Sequence, residues 1–236
     1  MDTSWRLDAG PVLLTCGDPS PYHGSRALAA LPTVVLPARP GRDELDPVLR
    51  ELGARRVIVH GTDADLAAVL VRLLRRERLD VEVAYVPRGR SVAAGVWGLS
   101  RHAAALALDG TAIPAPLVRD DGGGVLVGRA SVRHLRGEVY CDETLVLRGA
   151  APRLLIQPGP DGIAVRASRT GRPPDGRTRA VPPRAPAGRG SAVGRAVQLG
   201  GTAFTPVLDG VPHPRTVTRW AWYRHTADWL LVRPTA

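Results

Sequence analysis

The run from Val57 to Leu99, VIVHGTDADLAAVLVRLLRRERLDVEVAYVPRGRSVAAGVWGL, does most to limit what this chain can fold into. An apolar strand leads into a polar turn and a long amphipathic helix. A second apolar strand follows, and a Gly-containing turn opens an Ala-rich helix. Strands alternating with helices over residues 11–100 give a parallel sheet flanked by helices. In such a sheet the strand-to-helix turns gather along one edge, the usual place for a phosphate-bearing ligand.

The flanking segments fit the same pattern. Val12–Thr15 and Thr33–Leu36 read as buried strands, and Ser25–Leu31 as a short helix. Asp43 can cap a helix whose apolar residues Leu45, Val48, Leu49 and Leu52 fall on one face, with Pro47 in its first turn. The helix from about Asp63 to Arg78 carries a stripe of Leu66, Val69, Leu70, Leu73 and Leu74. Arg72, Arg75, Arg76 and Arg78 lie toward its C-terminal end, where they complement the dipole and read as a solvated face.

After about residue 108 the pattern changes to short β-like runs broken by Gly, Pro and Asp every 8–12 residues. The fold class expected is therefore an α/β N-terminal domain with a parallel sheet, residues 1–105, followed by an all-β, sandwich-like C-terminal domain, residues 106–236. The last strands expected in the β domain are Ala196–Leu199, Phe204–Leu208, Thr216–Tyr223 and Trp229–Val232. Before them, residues 168–195 are rich in Pro, Gly and Arg without apolar periodicity and read as a loop.

Composition narrows the function classes. The 236 residues carry a net charge of +10, which invites a nucleic-acid partner. All 32 basic residues are Arg, however, and the chain has neither Lys nor Asn, a bias of the kind a GC-rich genome imposes. The loop 168–195 alone holds +6, leaving the rest only mildly basic. Cys16 and Cys141 are isolated and read as buried free thiols, which excludes a disulfide framework and argues against a metal site. No secretory signal or long apolar span is present, so a cytoplasmic protein is expected.

Two turns are candidate sites. In His60-Gly61-Thr62-Asp63-Ala64-Asp65, Gly61 allows close approach of a phosphate to a helix start. Asp63 and Asp65 cap that helix, each by about 0.3–1 kcal/mol through the dipole, and would repel a phosphate unless Mg²⁺ bridged them. A plain capped helix start is the stronger local reading. Pro87-Arg88-Gly89-Arg90-Ser91 offers a glycine, two guanidiniums and a hydroxyl, which can hold phosphates or simply face water. His60 reads as a hydrogen-bonded structural histidine, and Trp220 and Trp222 as packing residues on one face of a strand.

With both turns and the change from α/β to β in view, the chain resembles the diacylglycerol kinase family of lipid kinases, whose fold is related to that of sphingosine kinases and NAD kinases. The resemblance implies a nucleotide in a cleft between two domains. The family's Gly-Gly-Asp-Gly-Thr signature falls on Gly61, Thr62, Asp63, Ala64 and Asp65, keeping the first Gly and the Asp. Its Pro-Leu-Gly-Thr-Gly-Asn-Asp signature falls on Pro87 to Ala93, keeping Pro87 and Gly89, with Val92-Ala93 in place of Asn-Asp. A late Asp-Gly-Glu becomes Asp209-Gly210-Val211, and an Asn-Pro segment has no counterpart.

By this resemblance Gly61, Thr62, Asp63, Gly89, Arg90 and Ser91 would contact ATP, Asp63 would also hold Mg²⁺, and Asp209 would be the best remaining base. The reaction would carry the γ-phosphoryl of ATP to a lipid or small-molecule hydroxyl, with peripheral membrane contact if the acceptor is a lipid. Each lost transition-state donor costs on the order of 3 kcal/mol, so slow or absent kinase activity with retained nucleotide or phosphate binding is expected. The alternative is a non-catalytic protein whose loop 168–195 contacts nucleic acid or an anionic membrane.

Overall fold

The computed structural model describes residues 10–17, 25–99, 103–168 and 190–234. In chain order the first elements are β1 (Val12–Cys16), α1 (Arg26–Ala29), β2 (Thr33–Leu36), α2 (Arg42–Glu51) and β3 (Val57–Gly61). Next come α3 (Asp63–Arg75), β4 (Glu82–Pro87), α4 (Val92–Val96), α5 (Ala103–Asp109) and β5 (Thr111–Ala115). An all-β stretch follows: β6 (Val118–Asp120), β7 (Val125–Leu126), β8 (Ala130–Cys141), β9 (Thr144–Gly159) and β10 (Gly162–Ser168). It continues through β11 (Ser191–Gly194), β12 (Ala196–Phe204), β13 (Val207–Leu208), β14 (Val211–Pro212) and β15 (Val217–Arg224), and the chain closes with β16 (Trp229–Arg233). Two compact units result, one of Met1–Ala115 with Ala227–Ala236 and one of Pro116–Thr226.

The first unit holds a six-stranded sheet in the order β2-β1-β3-β4-β16-β5. All neighbours pair in parallel except β16 with β5. The register aligns Leu13, Ile58 and Ala84, which pack with Leu28 of α1 and Ala107 of α5 on one face. Strand alternation turns Leu14, Val59 and Tyr85 to the other face. There the buried stripe of α3, Leu66, Val69, Leu70 and Leu73, supplies apolar cover, as its spacing predicts.

Three local differences from the sequence reading have simple causes. Helix α2 starts at Arg42 with Gly41 as its N-cap, because the Gly41 N–H finds Glu44 Oε2 at 2.9 Å; Pro47 therefore lies past the first turn. Arg72 is not solvated: its guanidinium makes a two-pronged contact with Asp46 of α2, at 2.8 Å on each prong. The Ala-rich helix breaks into α4 and α5, since Gly98 at φ 66 lets the Leu99 N–H return to the Ala94 carbonyl at 2.8 Å.

The last strand joins the first unit's sheet, although the sequence reading groups Trp229–Val232 with the β-rich half. Its apolar run says that it is a strand but not which sheet it completes. Buried Trp229 meets Trp97 edge-on with ring centres 6.0 Å apart, and Leu231 lies opposite Ile113. Arg56 ties this unit together further. Its guanidinium pairs with Glu82 at 2.8 Å and donates to the carbonyls of Ala107, Leu108 and Gly110 at the end of α5.

The second unit is one antiparallel sheet in the order β11-β10-β9-β8-β12-β15-β6-β7, with the β13–β14 hairpin attached to β8. Strand β10 also touches β12 and β15, which are not its ladder neighbours, so the sheet folds over its own core. Trp220 and Trp222 are buried in that core with Val132, Leu154 and Val197. Ser191–Gly194, read as part of a loop, is a strand because it extends the ladder of β10. Most of the Arg-rich segment 168–195 lies outside the described residues.

Candidate functional site

The strand order places β1 beside both β2 and β3, so the chain leaves β1 in one direction and later returns on its other side. Connections that diverge in this way open a crevice at the C-terminal ends of the strands. Gly17 follows β1, Thr62 follows β3, and the Arg88–Ser91 turn follows β4, all along that edge.

The first turn is closed on itself. The Thr62 hydroxyl oxygen accepts from the Asp65 N–H, while Asp65 Oδ2 accepts from the Thr62 N–H and hydroxyl, both at 2.7 Å. Asp65 Oδ1 accepts the Arg39 N–H at 2.6 Å, which reaches over from the loop after β2. Asp65 is 1% exposed, so its charge is held by these donors rather than by water. Gly61 is required by crowding, since a Cβ there would lie 2.8 Å from Asp65 Oδ2.

Asp63 does something different: it bridges the two turns. Its Oδ1 accepts from the Tyr85 hydroxyl at 2.9 Å and the Ser91 hydroxyl at 2.5 Å. Its Oδ2 accepts the backbone N–H groups of Val92 and Ala93 at 2.8 and 3.1 Å. Ser91 in turn accepts the Ala94 N–H at 2.8 Å. The first backbone donors of α4 are thus taken by a carboxylate and a hydroxyl of the protein itself, where an external anion would otherwise be stabilised.

A carboxylate offers about four acceptor sites, and Asp63 uses four. Asp65 is engaged to a similar degree. Among the described residues, no three His, Cys, Asp or Glu side chains gather as a metal site. The residues at these turns therefore do not fit a Mg²⁺ ion, which needs carboxylate oxygens free to coordinate it.

The outer part of the edge is cationic. Gly89 at φ 85 lets the β4 turn double back, with open space where a side chain would stand. Arg90 is exposed and Arg88 half-buried. The Arg88 guanidinium reaches across to β1, its Nη2 standing 3.1 Å from where a Cβ on Gly17 would be. Together with exposed Arg39, these side chains place positive charge along the rim while the carboxylates lie beneath it.

Other expected residues are placed as follows. His60 Nδ1 donates to the Val86 carbonyl at 3.0 Å, in its strand-end position. Asp209 lies in the second unit, in the two-residue turn of the β13–β14 hairpin, at φ 48 and followed by Gly210 at φ 89. Its carboxylate accepts the N–H groups of Val127, Gly128 and Arg129 at 2.8–3.0 Å, pinning the loop before β8. Tyr85 and Arg39 are site residues that sequence reasoning missed. Tyr85 reads as one more apolar strand residue, and Arg39 acts through its backbone.

Burial, aided by the neighbouring Asp63 charge, pushes the Tyr85 phenol far above its ordinary range. Burial and then Asp65 push the Cys16 thiol up to about 12, against a smaller opposing pull from Arg88.

The protein-family models contain none that matches this chain, and no curated protein matches it by sequence. Solved structures do match. A protein described as a diacylglycerol kinase from Bacillus anthracis str. Sterne superposes with a TM-score of 0.66 at 10% identity, over 95% of this chain and 97% of that one. An NAD kinase from Archaeoglobus fulgidus, solved in complex with ATP, superposes with a TM-score of 0.52 at 9% identity, over 94% and 93%. The chain therefore has the fold shared by these kinases, as the two turns and the change to β structure led us to expect.

Two outcomes follow for the stability of this edge. Asp63→Asn removes a charged acceptor and presents an amide donor to donors, so it should lower stability by about 2–3 kcal/mol and the melting temperature by about 5–10 °C. An unchanged melt would remove Asp63 from this role. The folded chain also keeps the Cys16 proton up to about 12 while the unfolded chain releases it near 9. Stability should accordingly be intact below about pH 8.5 and fall as pH rises beyond it, read as a lower urea midpoint at about pH 10.5 than at about pH 8.

Proposed function

We propose that this protein binds a nucleotide or another phosphorylated small molecule at the C-terminal edge of its parallel sheet and transfers phosphoryl groups poorly or not at all. The observation that carries this reading is the double character of that edge. Arg88, Arg90 and the opening at Gly89 offer a rim suited to phosphate oxygens, since guanidiniums pair with them in a planar, two-pronged way. The donors beneath the rim, which phosphoryl transfer would need, already serve Asp63 and Asp65.

The fold supports the nucleotide class, because the Archaeoglobus fulgidus NAD kinase that shares it was solved with ATP. Such chemistry requires donors preorganised on the transferring phosphoryl, a cation across the phosphates, and a base for the acceptor hydroxyl. Here Asp63 acts as a brace between two turns, not as a metal ligand, and Asp209 acts as a loop anchor, not as a base. Ser91 and Thr62 likewise spend their hydroxyls on Asp63 and Asp65. Any residual transfer to a lipid or small-molecule hydroxyl would proceed without these groups.

Calorimetric titration with ATP tests the proposal. Binding is expected with similar affinity in Mg²⁺ and in EDTA, weakened by roughly tenfold or more in the double variant Arg88→Gln, Arg90→Gln. Absence of binding at millimolar ATP would overturn the nucleotide reading. Mg²⁺-dependent phosphorylation of a diacylglycerol at a kcat of about 1 s⁻¹ or more, the range of working kinases, would overturn the poor-catalyst reading.

A further inference from the structure

In the second unit, three arginines gather on one face of the sheet without a counter-charge among the described residues. Arg133 of β8 stands directly opposite Arg153 of β9, and Ser168 of β10 stands opposite Arg153 on its other side. Side chains in such a row are about 5 Å apart at the backbone. Before the chain kinks at His134, alternation puts Arg129, Ser131 and Arg133 on the face opposite to Ala130 and Val132, which belong to the core. The same rule puts Arg153, Leu155 and Gln157 with them, since Leu154 and Ile156 are core residues.

Like charges placed directly opposite each other across a ladder are destabilising. Arg153 is only 9% exposed, so water screens this repulsion weakly. Burial, then Arg133 and Arg129, pull the Arg153 guanidinium below its ordinary range. Residues 129–133, 153–157 and 164–168 contain no Asp or Glu. None of the three arginines forms an ion pair among the described residues. The neighbouring carboxylate, Asp209, is engaged by backbone N–H groups, including that of Arg129, and so fixes where this arginine leaves the backbone.

We propose that Arg129, Arg133 and Arg153 form a binding site in the second unit for the phosphate group of a small molecule or lipid headgroup. A phosphate dianion among three guanidiniums relieves their mutual repulsion and uses donors that pair with no carboxylate among the described residues. The proposal does not depend on the reading of the rim at Arg88 and Arg90.

The test is calorimetric titration of the full chain with inorganic pyrophosphate, and sedimentation with vesicles of phosphatidate in phosphatidylcholine against phosphatidylcholine alone. The variants are R133Q, at an exposed position, and R153Q, at the buried one, with Arg50→Gln removing a surface charge elsewhere. Pyrophosphate binding weakened at least roughly tenfold by R133Q and by R153Q, but unchanged in Arg50→Gln, supports a site for a soluble phosphate. The same losses seen only with phosphatidate vesicles support a lipid headgroup. If R153Q does not fold, R133Q decides alone. Wild-type affinity in R133Q, or no binding to either probe, overturns the proposal and leaves Arg153 as a stem packed along the sheet.

Discussion

The carboxylate of Asp63 is the contact on which the candidate site depends. It is the first residue of α3, yet its four hydrogen bonds run to Tyr85 on β4 and to the start of α4. One side chain thereby fixes the spacing of two strand-to-helix turns. An ionised acceptor suits this place, because backbone N–H groups at the start of a helix prefer negative charge. Supplying that charge from within stabilises the fold and competes with any phosphate for the same donors.

Asp65 repeats the arrangement two residues on, and Asp209 repeats it in the other unit. Each is a carboxylate turned onto backbone N–H groups of a neighbouring loop. The chain has no Asn, and at these three places it uses Asp to tie the loop down. Two of these three residues stand where the kinase resemblance would put catalytic or metal-binding groups. In this structure both carboxylates hold loops in place through hydrogen bonds.

Much of the architecture was legible in the sequence. The stripe of α3, the buried strands on either side of it and the shift to β structure after residue 108 follow from periodicity alone, which reports local burial directly. What the sequence could not reveal is long-range pairing. Nothing in the apolar run at Trp229–Val232 says that it completes the first sheet, nor in Ser191–Gly194 that it pairs with β10. At the site, the capping role of Asp65 could be read from its position three residues after Thr62. The contacts of Asp63 with Tyr85, Val92 and Ala93 span 22 to 30 residues and required the fold. The Arg133–Arg153 pair was hidden for the same reason, because register across β8 and β9 decides it.

The central claim is that the donors at the start of α4 belong to Asp63 and are not surrendered to a phosphate. Backbone amide NMR of the chain titrated with Mg²⁺ and ATP tests it most directly. The Gly89 and Arg90 amide resonances should shift while those of Val92 and Ala93 stay in place. Large, saturable shifts at Val92 and Ala93 would show a phosphate displacing the Asp63 carboxylate, and would contradict it.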